Sequence, residues 1–177
     1  MAKKLLFLFL VLPLAVVTGQ TNQKPCTSEE SRQFDFWLGT WDLAWPGGQM
    51  GIPEGQTGTG TNQIKKVLGT CVIEENFSFP GGKFDGRSLS VFNPQKKMWQ
   101  QTWVDNSGAY LLFEGQVEDG KMVLQMEPVE RNGKTFISRM VFENITENAL
   151  DWNWQRSSDG GKTWKDLWNI HYTRRAK

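Results

Sequence analysis

The residues best suited to bind a small molecule are tryptophans spaced at every second position along predicted strands. Successive side chains of a β-strand point to opposite faces, so each such series lies on one face. Three series are present: Trp99, Gln101, Trp103 and Asp105; Leu150, Trp152, Trp154 and Arg156; and Trp164, Asp166, Trp168, Ile170, Tyr172 and Arg174. Facing one interior, they would form an aromatic cavity with a few charged groups, a composition typical of ligand pockets. The chain has 9 tryptophans, enough to fill such an interior, so a lined cavity and a filled core both remain open.

Two arginines are candidate anchors for the polar group of a ligand. Arg139 interrupts an otherwise apolar strand, between Ile137 and Val141 on the same face, and Arg87 begins another strand. A buried guanidinium needs a partner, which is either a carboxylate of this chain or one of the ligand. The candidate partners within the chain are Glu74, Glu75 and Glu114. The candidate ligand-binding residues are therefore Trp99, Gln101, Trp103, Arg87, Arg139, Trp152, Trp154 and Trp168.

The sequence contains none of the short motifs that mark common catalytic sites. It has no Gly-x-Ser-x-Gly motif and no phosphate-binding loop, and its cysteines have no activating histidine context. Carboxylates that face each other across a barrel can still act as acid and base. The candidates for this role are Glu74, Glu75, Asp105 and Glu114. An isomerase-like or hydrolase-like barrel enzyme, using inward carboxylates and arginine, is therefore the alternative to a non-catalytic binding protein, and no residue is assigned as catalytic.

The single histidine of the chain, His171, is the candidate ligand for a cofactor. Its position in the last strand resembles that of the late histidine that ligates iron in haem-binding barrels of the nitrobindin type, and neutral imidazole does bind haem iron. His171 alternates with Ile170 and Tyr172, which places it on the face opposite the aromatic series. Haem binding through His171 is a second alternative. No other cofactor is expected, and no Cys/His spacing predicts a metal site.

The elements that must position these residues are short β-strands. From Thr40 onward, apolar residues alternate with period two, and turn residues such as Asp119-Gly120 and Asn132-Gly133 separate the runs. Such dipeptides between alternating strands are strong hairpin signals. The predicted strands are Thr40–Trp45, Gln56–Val67, Cys71–Phe79, Arg87–Phe92, Met98–Val104, Tyr110–Val117, Met122–Glu127, Thr135–Phe142, Ala149–Arg156 and Trp164–Arg174.

Ten strands at hairpin spacing predict an all-β fold. A meander of this size closes on itself to remove its two edges. We therefore predict a single up-and-down antiparallel β-barrel of about ten strands, with room for side chains and one small ligand. A two-sheet sandwich is the alternative, but it would need longer connections. The glycine-rich stretch Gly47 to Gly60 is predicted to be a long flexible loop at one rim, in the position of a lid.

A short helix is predicted before the first strand. Thr27 is its expected N-cap, and Glu30 is placed to bond back to the cap amide. Phe34, Trp37 and Leu38 would share one face of this helix and pack against the mouth of the barrel. Gly39 ends the predicted helix.

The segment Phe34-Asp35-Phe36-Trp37-Leu38-Gly39-Thr40-Trp41 resembles the opening of a family of secreted and cytosolic bacterial domains of unknown function that are expected to be lipocalin-like (calycin-type) barrels. The stretches Trp99–Asp105 and Trp168–Arg174 resemble the same family, so the resemblance extends over most of the chain from Phe34. It implies the fold and carries no agreed activity. Gly39-Thr40-Trp41 is also similar to the Gly-x-Trp of lipocalins, which implies that Arg174 of the last strand lies over the Trp41 indole.

A second local motif is structural. Residues 157–164 match the Asp-box pattern Ser-x-Asp-x-Gly-x-Thr-Trp. We expect the Asp159 side chain to accept bonds from backbone amides of a hairpin turn and Trp164 to pack beneath it. A single Asp-box carries no implication of glycosidase activity.

The first residues predict export. Residues 1–19 combine a basic start, an apolar run from Leu5 to Val17 and a small-residue site near Gly19, the order found in a secretory signal peptide. Residues 20–33 would form an N-terminal segment with the helix start, and residues 34–177 the barrel domain. The predicted location is secreted or periplasmic, with no stable membrane anchor. Cys26 and Cys71 are then expected to form a disulfide, with two separate thiols as the alternative.

Charge narrows the range of partners. The formal net charge is +1, and the chain has no basic run of the kind that binds nucleic acid. The sequence therefore predicts an exported, lipocalin-like barrel that binds a small hydrophobic or amphipathic molecule in an aromatic-lined cavity.

Overall fold

The structure is a computed structural model that describes residues 26–176. The predicted signal peptide, residues 1–19, lies outside the described residues, as do residues 20–25. Eleven β-strands form one sheet. Their bounds are β1 Gly39–Pro46, β2 Thr57–Val67, β3 Val72–Phe79, β4 Phe84–Asn93, β5 Met98–Asp105, β6 Tyr110–Glu118, β7 Lys121–Gln125, β8 Val129–Arg131, β9 Lys134–Glu143, β10 Ala149–Ser157 and β11 Lys165–Arg174.

Ten of these strands close into an antiparallel up-and-down barrel. Neighbours along the chain pair with each other from β1 to β7, β7 pairs with β9, and β9 continues through β10 to β11. The last strand then pairs with the first, with Arg174 opposite Trp41. This closure confirms the predicted barrel, and the sandwich alternative is wrong because the sheet has no break into two layers.

Strand β8 is the one observed strand among the described residues that the sequence pattern does not predict. Strand β8 pairs only with the beginning of β9, where Val129 lies opposite Phe136. All three of its residues are exposed. It therefore carries no alternation of buried and exposed positions, which is the signal from which the other strands were predicted.

Tightly packed aromatic rings fill the end of the barrel at which Arg174 pairs with Trp41. Phe34, Trp37, Trp99 and Phe142 are all almost completely buried. The Phe34 ring lies at the centre of this group, with centroids 5.1–5.2 Å from those of the other three rings. This end is called the closed end below.

The N-terminal segment covers the closed end with two short 3₁₀ helices. They span Glu30–Arg32 and Asp35–Trp37. The short helical element predicted here is therefore present, but as two 3₁₀ turns instead of one continuous helix. Ser28 Oγ accepts a bond from the Ser31 amide at 3.3 Å in the first turn. A disulfide between Cys26 and Cys71 ties this segment to the start of β3, which confirms the predicted pairing.

Arg174 and Trp41 seal the closed end together. The Arg174 guanidinium carbon lies 4.0 Å from the centre of the Trp41 ring. The same guanidinium donates to the carbonyl oxygens of Leu38 and Phe36, and Trp41 Nε1 donates to the carbonyl of Trp37 at 2.7 Å. The expected stack is present, and these bonds also tie the second 3₁₀ helix to the barrel.

The glycine-rich loop is shorter than predicted. It ends at Gln56, because Gly58 and Gly60 belong to β2. A Cβ added at Gly58 would lie 2.1 Å from Trp45 Nε1, so this glycine makes room for an indole inside the barrel. The loop itself is held by the Gln49 side chain, whose Oε1 accepts from the Asn169 amide at 2.9 Å.

The turn before β11 forms as the Asp-box motif predicts. Asp159 Oδ1 accepts bonds from the amides of Lys162 and Thr163 at 3.1 and 3.0 Å. These bonds, together with the Thr163 hydroxyl, hold the pKa of Asp159 far below its usual range. The turn fixes the start of β11, which carries part of the cavity wall. Among the described residues, no helix has the length and apolar character needed to cross a membrane.

Candidate functional site

The barrel contains a cavity of about 370 Å³ between the closed end and the opposite rim. Its walls are mostly aromatic. The rings that line it include Phe77, Phe84, Trp103, Trp152, Trp154 and Trp168. Met50 of the loop between β1 and β2 also lines the cavity and is 40% exposed, which places this loop at the mouth. The aromatic interior of this half of the barrel is therefore a lined cavity, whereas the closed end is filled.

The wall rings contact each other edge to face, both between neighbouring strands and across the barrel. The centroid of Trp168 lies 5.5 Å from that of Trp152 and 5.7 Å from that of Phe77, at interplanar angles of 85° and 86°. Phe77 in turn contacts Trp103 at 6.0 Å. Aromatic pairs favour this geometry. The wall is thus preorganised by contacts among its own rings.

A buried polar network lies at the inner end of the cavity. Glu75 is 5% exposed and accepts bonds from Asn62 Nδ2 at 2.7 Å and from Ser88 Oγ at 2.5 Å. Asn62 also donates to the Tyr172 hydroxyl at 3.2 Å. Glu75 and Tyr172 line the cavity, whereas the fully buried Asn62 links them. This network is called the floor below.

Burial changes the acidity of both floor groups. It raises the pKa of Glu75 to about 7, against the hydrogen bonds from Ser88 and Asn62 and the charge of Arg87, which lower it. Burial and the nearby Glu75 carboxyl also raise the pKa of Tyr172. Glu75 can therefore gain or lose a proton near neutral pH, which an exposed glutamate does not do.

Asp105 places a second carboxylate in the lining, at the end of β5. It accepts a bond from Trp103 Nε1 at 2.8 Å, which fixes the orientation of this indole. Its other oxygen accepts from the amide and hydroxyl of Ser107 and the amide of Ala109. Burial opposes ionisation of Asp105, but these hydrogen bonds outweigh it and hold the pKa below its usual value. Asp105 is therefore a carboxylate at neutral pH.

Further polar atoms of the wall are buried without a hydrogen-bond partner among residues 26–176, including Oε1 of Gln101 and Nε1 of Trp168. The Nε2 of Gln101 donates to Ser90 Oγ at 2.8 Å. A buried polar group without a partner costs about 1–3 kcal/mol. Since both residues line the cavity, a molecule bound there could satisfy these atoms.

Five of the eight candidate ligand-binding residues lie in the cavity lining. They are Gln101, Trp103, Trp152, Trp154 and Trp168. Trp99 shares their inward face but packs against Phe34 and Phe92 at the closed end. It is 1% exposed, so it forms part of the filled core. Position along a strand decides this difference, because an alternation pattern gives the face of a residue and not its depth in the barrel.

The two arginines predicted to anchor a ligand lie outside the cavity. Arg87 is exposed and donates to the carbonyl oxygens of Gly86 and Phe77 at 2.9 and 3.4 Å. Arg139 stacks on Trp164, with its guanidinium carbon 3.6 Å from the ring centre, and donates to Gln155 Oε1 at 2.7 Å. The predicted carboxylate partner is wrong for Arg139, since an indole face and an amide oxygen take that place.

A β-bulge explains why the third tryptophan series does not stay on one face. Strands β10 and β11 shift register after Trp154, which lies opposite Trp168, while Gln155 lies opposite Asp166. Trp164 is therefore on the outside with Arg139, and the cavity lining includes both Leu167 and Trp168. A bulge inserts one residue and re-aims the side chains on either side of it. Strict alternation in the sequence cannot reveal it.

The remaining titratable candidates face outward. His171 is exposed and its Nδ1 lies 2.7 Å from Asp151 Oδ1, so the described part of the chain has no histidine in the cavity lining. Glu74 pairs with Lys65 at 2.9 Å, and Glu114 pairs with Lys96 at 2.5 Å. Within residues 26–176, no group of three His, Cys, Asp or Glu side chains is arranged to hold a metal ion.

The sequence pattern does not predict the floor as a unit. It predicts Tyr172 as a member of an aromatic series and Glu75 as a partner of arginine or an acid–base carboxylate, and it indicates no role for Asn62 or Ser88. One signal was available: Asn62 occupies the same strand face as Gly58, Gly60 and Ile64. A polar residue among inward positions predicts a buried partner, although the partner on another strand cannot be identified without the register.

Two comparisons with known proteins bear on this chain. A family model described as "Protein of unknown function (DUF1579)" matches residues 27–174, which include the short helices, every strand and all of the cavity residues discussed above. No match to a curated protein is found.

Proposed function

We propose that this chain, which belongs to the DUF1579 family of proteins of unknown function, binds one small apolar or amphipathic molecule inside a lipocalin-like barrel, without catalysing a reaction. The cavity of about 370 Å³ lined by aromatic rings carries this proposal. A structural barrel can fill its interior completely, as the closed end here does. Preserving an open aromatic space is expected when something else occupies it.

The size and polarity of the cavity define the ligand further. Pockets for drug-sized ligands span about 300–1,000 Å³, so a cavity near the lower limit favours a compact ring system over a long acyl chain. The unpartnered Gln101 Oε1 and Trp168 Nε1 favour a ligand with at least two polar atoms. An amphipathic molecule with an apolar body fits both properties.

The location of binding is proposed to be outside the cytoplasm. The disulfide between Cys26 and Cys71 indicates an oxidising compartment, since cytoplasmic thiols are kept reduced. The signal sequence predicted for residues 1–19 agrees with this and supports a secreted or periplasmic protein.

Binding of the neutral fluorophore N-phenyl-1-naphthylamine tests the proposal. We expect a saturable fluorescence increase with one site per chain and quenching of intrinsic tryptophan emission. Leu111→Trp should fill part of the cavity, which Leu111 lines, and weaken binding at least tenfold. Leu112→Trp is the matched control because Leu112 is the next residue on the outer face and is 54% exposed. Absence of saturable binding, or an equal effect of both substitutions, would contradict the proposal.

An acid–base enzyme is the second candidate function, favoured by one observation. Glu75 and Asp105 line the same cavity, and their pKa values are shifted in opposite directions. Environments that separate two carboxyl groups in this way are common in active sites. The test is exchange of the α-protons of a cavity-sized ketone, 2-tetralone, in D₂O. Exchange above the buffer rate that disappears in Glu75→Gln would support catalysis, and a rate equal to that of buffer would count against it.

A further inference from the structure

The charges that line the cavity all have one sign. Among residues 26–176, Glu75 and Asp105 are the only lining residues with a carboxyl group, and Tyr172 adds a phenol. No Lys, Arg or His of residues 26–176 lines the cavity. An anionic ligand, such as a fatty acid, would therefore meet carboxylates and no compensating cation. Burying it would leave a charge without a partner, which is strongly unfavourable.

The nearby arginines do not alter this balance. Arg87 is held on the outer face by the carbonyl oxygens of Gly86 and Phe77, and Arg139 is held by Trp164 and Gln155. Neither side chain can enter the cavity without breaking these contacts and passing through the sheet. The interior consequently keeps its negative character.

The aromatic walls complement the same charge. Trp103, Trp152, Trp154 and Trp168 present four indoles around one space. The face of an indole attracts a cation, and cages of aromatic rings are how proteins commonly hold quaternary ammonium groups. Asp105 fixes the Trp103 ring through Nε1 and adds a negative charge beside it. The carboxylates and the indoles of the lining therefore favour the same type of group, a cation.

We propose that the ligand of this cavity is an organic cation, with an ammonium group held among the indoles between Glu75 and Asp105. The proposal rests on the proposed binding function and specifies its ligand class. The apolar part of the ligand contacts the remaining wall residues, including Phe77 and Phe84. A positive charge close to the floor favours the ionised form of Glu75, so binding is linked to loss of its proton.

Three probes of similar shape test the charge preference. They are benzyltrimethylammonium, its neutral isostere neopentylbenzene and the anion phenylmethanesulfonate. Each is titrated by intrinsic tryptophan fluorescence and by displacement of N-phenyl-1-naphthylamine at pH 8 and low ionic strength. We expect the cation to bind at least tenfold more tightly than the neutral isostere and the anion not to bind measurably. Because the quaternary nitrogen does not titrate, the comparison is free of ligand protonation.

A pair of variants assigns the preference to the cavity. Glu75→Gln should weaken binding of the cation at least fivefold and leave that of neopentylbenzene within twofold. Glu74→Gln is the matched control, since Glu74 is the adjacent carboxylate on the outer face, where it pairs with Lys65. It should leave the cation-to-neutral ratio within twofold.

The outcomes separate this inference from the function on which it rests. Binding of neopentylbenzene with equal or weaker binding of the cation would overturn the ligand class while leaving the binding function intact. The ligand class would also be overturned if N-phenyl-1-naphthylamine binds saturably but benzyltrimethylammonium neither displaces it nor changes the intrinsic tryptophan fluorescence. If neither the fluorophore nor any of the three probes binds, both proposals fail.

Discussion

Glu75 affects both the stability of the fold and the proposed binding function. It lies in the floor of the cavity, fully hydrogen-bonded by Asn62 and Ser88, in an environment that disfavours its charge. The charged or titratable groups around it are Tyr172, which faces it from β11, and Arg87, whose charge acts from the outer face of β4. Such a group is tolerated in a core when a ligand or a reaction makes use of it.

The pKa of Glu75 predicts a pH dependence of stability. Its value in the folded chain is about 7, above its usual 4.5, so the folded state binds the proton more tightly than the unfolded state. Its stabilising contribution is complete below about pH 4.5 and is lost as pH rises through 7. The free energy of unfolding of the wild type relative to Glu75→Gln should fall by about 2 to 3 kcal/mol between pH 5 and pH 8.

Urea unfolding of both proteins at the two pH values measures this difference. Glu74→Gln is the matched control, because Glu74 is the adjacent carboxylate on the outer face and its pKa is lowered by Lys65 and Asn76. The relative stability of Glu74→Gln should not change between pH 5 and pH 8. A flat profile for Glu75→Gln as well would refute the assignment of a raised pKa to Glu75.

Arg87 and Arg139 predict a contrast between stability and binding. Both lie outside the cavity, so Arg87→Ala and Arg139→Ala should leave the affinity for N-phenyl-1-naphthylamine within twofold. Arg139→Ala should nevertheless lower the free energy of unfolding by about 1 kcal/mol, since it removes the stack on Trp164. Fluorescence titration and urea unfolding of the same samples decide the matter. A tenfold loss of affinity in either variant would show that the cavity extends to these residues.

At the scale of elements, glycines on the inner faces of strands leave space for indoles. Gly58 of β2 does so for Trp45 of β1, and Gly86 of β4 does so for Trp103 of β5. Large and small residues on neighbouring strands therefore complement each other across the barrel interior. This arrangement gives the two indoles room directly beside the neighbouring strand.

Gly86→Ala tests the role of this complementarity in the cavity. The added Cβ would lie 2.1 Å from Trp103 Cζ2, so the indole has to move. We expect a loss of about 1–3 kcal/mol in the free energy of unfolding and at least fivefold weaker binding of N-phenyl-1-naphthylamine. Denaturant unfolding and fluorescence titration measure the two effects. Unchanged affinity in a folded Gly86→Ala protein would mean that Trp103 does not shape the site.

At the scale of the whole molecule, one end of the barrel holds stabilising contacts and the other end holds the cavity. The closed end holds the disulfide, the 3₁₀ helices and the stack of Arg174 on Trp41. The other end holds the cavity, its mouth and the loop that carries Met50. The ten strands connect both ends, and the floor around Glu75 divides them.

This division predicts that the disulfide affects stability and not binding. The cysteines are 45 residues apart, and closing a loop of that length stabilises by about 4 kcal/mol in the chain-entropy description. Replacing both Cys26 and Cys71 by Ser should therefore lower the free energy of unfolding by up to about 4 kcal/mol. Affinity for N-phenyl-1-naphthylamine should stay within twofold in samples that remain folded. A large loss of affinity without loss of stability would indicate coupling between the ends.

The sequence by itself determined the features that depend on local chemistry. Alternation from Thr40 onward and the Asp-Gly and Asn-Gly turns gave ten strands close to their observed bounds, because period two and positive φ are properties of short segments. The Asp159 turn follows from its own eight residues. The stack of Arg174 on Trp41 was implied by the resemblance of Gly39-Thr40-Trp41 to the lipocalin motif.

The tertiary structure decided what depends on register and depth. The register of β3 against β2 and β4 set Glu75 beside Asn62 and Ser88, and closure of the barrel added Tyr172, whereas alternation gave only the face of each residue. Depth along the barrel axis separated Trp99, which is packed into the closed end, from Trp103 of the same series. Because of the bulge in β11, Trp164 lies on the outer face, where Arg139 stacks on it. Each of these depends on contacts and register between strands, which the residue pattern within a single strand does not encode.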